Sequence, residues 1–144
     1  MSEDTRQTLE AYLEDLLAQG PYKKYFSDDV VMEMMGQNQR FEGPDAVEQM
    51  IGYMHRQAFE ASLEIMNMVV GDGQAAAEFD FVGRHTGEFA GVEATGREVR
   101  VPYCVVYDLE EGKIKALRLY FPMDVLMRQL GVAPAPQQSE ASPT

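Results

Sequence analysis

Few residues in this chain could do acid–base chemistry inside a protein. The most distinctive is His85, at the head of the run His85-Thr86-Gly87-Glu88-Phe89. An imidazole titrates near neutrality, so a histidine held against a carbonyl compound could abstract the neighbouring proton, as aldol-type ring closure requires. The plainer use of the same residue is a hydrogen-bonded histidine at a strand rim. The chain has one other histidine, His55, and one cysteine, Cys104. Positions 55, 85 and 104 show none of the short spacings of a zinc site, so no metal is expected. As a nucleophile Cys104 would need a base, and His85 is the sole candidate. No Walker-type or dinucleotide glycine motif follows a strand and opens a helix, so no cofactor is expected. Tyr53 and His55 end a helix; Tyr53 is placed at a cavity mouth and His55 toward solvent. Arg84 should point to the sheet face opposite His85.

The elements that position these residues are read from spacing. Leu9, Tyr12, Leu13, Leu16 and Leu17 form a helical stripe that Gly20-Pro21 ends. Tyr22 to Phe26 is a short second helix. Val30 to Met35 is a strand after a turn at Asp28-Asp29, and Gly36-Gln37-Asn38 is the turn that follows it. Gly43-Pro44 opens a third helix with the stripe Val47, Met50, Ile51, Met54. Leu63 to Val70 and Gln74 to Gly87 are strands joined by Gly71-Asp72-Gly73, and Val99 to Leu109 and Lys113 to Phe121 are joined at Glu110-Glu111-Gly112. Pro122 to Leu130 is a last short helix stopped by Gly131. Helices followed by long alternating strands define an α+β domain over residues 1–132. The tail 133–144, APAPQQSEASPT, has almost nothing to bury and is expected to be disordered.

Composition sets the remaining bounds. A chain of 144 residues fits one domain. A net charge of −12 argues against a nucleic-acid partner, which clustered Lys and Arg would have to hold. No segment approaches the roughly 20 apolar residues of a membrane span. The first ten residues lack the basic start and apolar run of a secretion signal, and a single cysteine suits a reducing cytoplasm, the expected location. Ten methionines, seven of them between Met32 and Met68, suit an irregular apolar interior.

The stretch His85 to Arg97, HTGEFAGVEATGR, with glycines at 87, 91 and 96, resembles the SnoaL-like polyketide cyclases. These belong to the superfamily of nuclear transport factor 2 and ketosteroid isomerase. The resemblance implies a cone: a strongly bent antiparallel sheet closed by N-terminal helices around an apolar cavity. It further implies that His85 faces a pocket for a polycyclic substrate and that Tyr12 corresponds to the isomerases' tyrosine. Met34, Cys104, Leu117, Leu119 and Phe121 then take the inherited pocket positions. The acids of the relatives are missing. Met34 stands at the isomerase base and Cys104 at its second aspartate, Leu119 replaces a carboxylate of the limonene epoxide hydrolases, and Val99 to Tyr107 holds no carboxylate to partner His85.

Two classes of function follow. One is a cyclase or isomerase acting on a small hydrophobic, carbonyl-bearing or polyketide-like molecule, with His85 as base and Tyr12 or Tyr53 as donor. The other is a non-catalytic ligand-binding or dimerisation module that has lost the family's acids. Tyr103, Tyr107, Arg118 and Tyr120 are assigned to the outer sheet face, where they would build a homodimer.

Overall fold

Most of each apolar helical stripe read from the sequence packs against the sheet, with Leu17 left exposed. The computed structural model describes residues 2–132; the tail at 133–144 lies outside the described residues. Helix α1 (Ser2–Leu17) buries Leu9, Tyr12 and Leu13. It ends in a Schellman motif: the Gly20 amide donates to the Asp15 carbonyl at 2.7 Å and the Gln19 amide to that of Leu16 at 3.1 Å. The residue in the left-handed conformation is Gln19, at φ 58°, not the glycine beside it. A single 3-10 turn, Tyr22–Tyr25, leads into β1 (Phe26–Met34). Ser27, Asp28 and Asp29 thus lie within a strand rather than a turn, where the pairing with β6 is irregular.

Strand β2 (Gln39–Glu42) is four residues long and has no alternation to reveal it; the turn after β1 folds it back as an edge strand. Helix α2 (Pro44–Gly52) starts on the proline and runs into a π-helical turn, Tyr53–Gln57. Four further strands and one helix complete the described residues: β3 (Phe59–Val70), β4 (Gln74–His85), β5 (Glu98–Glu110) and β6 (Lys113–Tyr120), followed by α3 (Met123–Gln129).

The six strands form one curved, unclosed sheet in the order β2-β1-β6-β5-β4-β3. Hairpins make every neighbouring pair antiparallel except β1 and β6, which run parallel. No short turn joins those two strands, so nothing forces them to reverse direction. The α+β class therefore stands, with one parallel seam in the sheet. Its inner face carries Phe79, Phe81, Val101, Val105, Tyr107 and Leu117 against α1 and α2. The Thr5 hydroxyl of α1 accepts the Gly73 amide at 2.9 Å and ties the helix to the β3–β4 hairpin. Among the described residues no helix is long and apolar enough to cross a membrane.

Candidate functional site

The concave side of the sheet and the two long helices enclose a cavity of about 50 Å³. From α1 it receives Tyr12 and Leu16, from β1 Met32 and Met34, and from the end of α2 Met50, Ile51, Met54 and His55. Leu63 and Phe81 close it from β3 and β4; Tyr103, Val105, Tyr107, Leu117, Leu119 and Phe121 close it from β5, β6 and the residue after β6. Met34, Leu117, Leu119, Phe121 and Tyr12 are all among these lining residues. None of the lining residues is a carboxylate.

Cys104 is the exception. In the β5–β6 pair, Val105 faces Leu119 and Tyr107 faces Leu117, while Cys104 faces Tyr120 on the other side. Opposed residues share a face, so Tyr103, Val105 and Tyr107 are inside and Cys104 is outside. A bulge is the cause. At the turn Glu110 pairs with Lys113 and Leu109 with Ile114, but Asp108 then pairs with Ala116, leaving Lys115 unpaired. Without that extra residue Cys104 would oppose Leu119 and share its face; with it every later side chain is turned over. The same correction removes Tyr103 and Tyr107 from the outer face. Of the set assigned to self-association, Arg118 and Tyr120 remain there, and Arg118 is held by Asp108 at 2.7 Å.

The cavity gains polar groups in exchange. Tyr12, Tyr103 and Tyr107 all line it, and none of their hydroxyls has a hydrogen-bond partner among the described residues. The one sealed, unpartnered side-chain polar atom among those residues is His85 Nε2, so the tyrosine hydroxyls reach open space. The Tyr12 ring stacks on Tyr22 at 6.2 Å and meets Tyr107 edge-on at 6.2 Å. Burial pushes all three phenols well above their ordinary range; Tyr103 and Tyr22 add to the effect at Tyr12, and Tyr12 and Tyr103 add to it at Tyr107. A phenol so raised stays protonated at any working pH and is a fixed hydrogen-bond donor.

His55 was expected in solvent and is found in the wall. Its ring meets the Phe81 ring edge-on at 5.6 Å. The π turn, closed by the Ala58 amide donating to the Tyr53 carbonyl at 2.7 Å, carries the helix one residue further and keeps His55 beside Ile51 and Met54. Burial, and secondarily Arg56, pulls the imidazole down to about 4. It is a neutral ring at pH 7. The signal was available, because His55 lies four residues after Ile51 on the helical stripe.

His85 takes the inward phase of β4, as Phe79 and Phe81 do, but at the far end of the strand. It is fully buried and is not among the residues lining the cavity. Phe59 stands between, its ring 5.3 Å from Phe81 and 5.1 Å from His85. The Thr95 amide donates to His85 Nδ1 at 3.1 Å, with the Thr95 hydroxyl at 3.0 Å. A neutral ring accepting there carries its proton on Nε2, which has no acceptor. Tyr53 also stays off the cavity wall: its hydroxyl donates to the Glu88 carbonyl at 2.8 Å and its ring stacks on Phe89. His85 and Tyr53 thus pin the two ends of the loop from Thr86 to Arg97. Among the described residues no group of histidine, cysteine or carboxylate side chains is arranged to hold a metal.

Comparison with known proteins agrees with this architecture. The family model of the SnoaL-like polyketide cyclases matches residues 6–130, and the chain belongs to that family. A putative SnoaL-like polyketide cyclase from Jannaschia sp. CCS1 superposes with a TM-score of 0.81 at 16% identity, over 92% of this chain and 95% of that one. TsrD from Streptomyces laurentii gives 0.77 at 21% identity, over 92% and 98%. An epoxide hydrolase from M. tuberculosis of the LEH-like type gives 0.71 at 18% identity, over 90% of each. At such identities these likenesses define the shared fold alone. No curated protein matches the chain.

Proposed function

We propose that this protein binds a small, uncharged hydrophobic molecule carrying a carbonyl group, of the polyketide type, in the central cavity. The observation that carries the reading is the set of tyrosine hydroxyls, Tyr12, Tyr103 and Tyr107, unpartnered among the described residues, in an enclosure whose other polar side chain is His55. Apolar walls supply affinity, and a few convergent donors fix the orientation of an oxygen. No lysine or arginine lines the cavity to offset the desolvation of an anion.

The polar groups favour binding over proton transfer. A base works best near the operating pH, and an imidazole pulled down to about 4 is a weak one. His55 can still accept a hydrogen bond from a ligand hydroxyl. For His85 to act on a bound molecule, Phe59 would have to leave its place between them. The cyclase reading thus asks Phe59 to move, which the binding reading does not.

The cavity, about 50 Å³, is well below the roughly 300 Å³ of a typical ligand pocket. Met32, Met34, Met50 and Met54 line it, and their unbranched side chains can give way to a ring system. The test is a fluorescence titration with the naphthyl ketone prodan. Tyr12→Phe and Tyr107→Phe should each weaken binding by about three- to tenfold, the worth of one hydrogen bond of about 0.5–1.5 kcal/mol. A hydrocarbon analogue without the ketone should bind all three proteins equally. Equal ketone affinity in all three would reject the reading.

A further inference from the structure

The central cavity shares a wall with the outer face of the sheet. The β5–β6 ladder stops at the pair Cys104–Tyr120. Continued in register, it would set Pro102 opposite Pro122, and neither proline has an N–H to donate. Beyond that point the sheet is closed by side chains alone, the rings of Tyr103 and Phe121, whose centroids are 5.0 Å apart. Both rings line the cavity, and both also floor a groove of about 670 Å³ on the opposite side, beside Met66, Cys104 and Tyr120.

We propose that this outer groove is the access site of the cavity and that the Tyr103–Phe121 pair is its gate, admitting neutral hydrophobic carbonyl compounds. The inference rests on the ligand reading above. The other flank of the cavity, beside His55, opens only onto a crevice of about 20 Å³ edged by Gln19 and Arg56. The groove is the larger approach and the more apolar one, with Met66 59% and Tyr120 49% exposed. Opening costs few bonds: the Tyr103 hydroxyl has no partner among the described residues, and at Phe121 only the backbone carbonyl is held, by Gln37 Nε2 at 3.2 Å. Glu78 and Asp80 form one bank of the groove. Asp80 is neutralised by Arg100 at 2.7 Å, and among the described residues Glu78 accepts a hydrogen bond only from the uncharged Asn67. Glu78 therefore disfavours anionic ligands at the approach.

Cys104 is the chain's single cysteine and lines the groove, so the native protein carries its own attachment point. Prodan association is followed by stopped flow before and after Cys104 is modified with a bulky N-aryl maleimide. The adduct should slow association about tenfold, a barrier increase of roughly 1.4 kcal/mol, while a small methylthio cap should leave the rate unchanged. Phe121→Ala should raise both association and dissociation rates. The same maleimide on Ser62→Cys, at the crevice and in a Cys104→Ser background, should have no effect. Slowing by the Ser62 adduct and not by the Cys104 adduct would overturn the gate while leaving the cavity reading intact, since binding persists. Should Phe121→Ala fail to fold, the adducts on the folded native chain still decide. An association rate that falls as protein concentration rises would show the groove covered by a second copy, and this too would overturn the gate. Absence of prodan binding in every form would remove the cavity reading and the gate with it.

Discussion

Replacing His55 with glutamine should flatten the acid side of the stability curve. In the folded protein burial pulls this imidazole to about 4, against an ordinary value near 6.5. As pH falls the unfolded chain takes up the proton first, and protonation therefore favours unfolding. The stability at stake is fully present above about pH 6.5 and is lost progressively as pH falls toward about 4. At about 1.36 kcal/mol per pH unit the gap amounts to roughly 3 kcal/mol, an upper figure because water reaches part of the ring. Between about pH 7.5 and about pH 4.5 the native protein should lose about 1–3 kcal/mol more than His55→Gln does. Urea unfolding at each pH gives the two curves, and their difference cancels the carboxylates that both proteins share. Parallel curves would refute the placement of His55 in the cavity wall.

Three further outcomes follow from the packing. His85→Leu removes a sealed, unpartnered N–H as well as the part-buried bond from the Thr95 amide, effects of about 1–3 and 0.5–1.5 kcal/mol that oppose each other; thermal unfolding should shift by only a few degrees, and ketone binding should be unchanged, whereas a loss of binding beyond about tenfold would make His85 a ligand contact. A Cβ added at Gly87 would overlap the Gln57 backbone carbonyl. Gly87→Ala should therefore cost about 1–3 kcal/mol in urea unfolding, and an unchanged midpoint would show that the loop is not pinned there. Leu119→Asp places a carboxylate in a cavity with no cation, so the prodan titration should show binding weakened more than tenfold, or about 1.4 kcal/mol; unaltered binding would move the ligand elsewhere.

The parts of this fold that were legible in the sequence are those set by one repeating choice. Leu9, Tyr12 and Leu13 mark one helical face, and the turn glycines around the long strands fix where the chain reverses. What stayed hidden depends on single-residue irregularities. The bulge at Lys115 turns β5 over relative to β6, and both phases of β5 hold apolar residues, so alternation could not separate Tyr103, Val105 and Tyr107 from Cys104. Pairing across the hairpin settles it, and pairing is a tertiary fact. The parallel seam between β1 and β6 is equally non-local, because no turn encodes it. His85 was conspicuous for its neighbours in sequence, yet its surroundings depend on Phe59, which reaches it from the adjacent strand. The donors of the candidate site were visible as tyrosines but not as a group.

The hydrogen bond proposed between a ligand carbonyl and the tyrosine hydroxyls inside the cone is open to direct measurement. Infrared difference spectroscopy of bound prodan tests it at the atom concerned, because a hydrogen bond lowers the stretching frequency of the carbonyl that accepts it. The carbonyl frequency should be lower in the native protein than in the Tyr12→Phe/Tyr107→Phe double variant. A bound carbonyl with the same frequency in both proteins would contradict it.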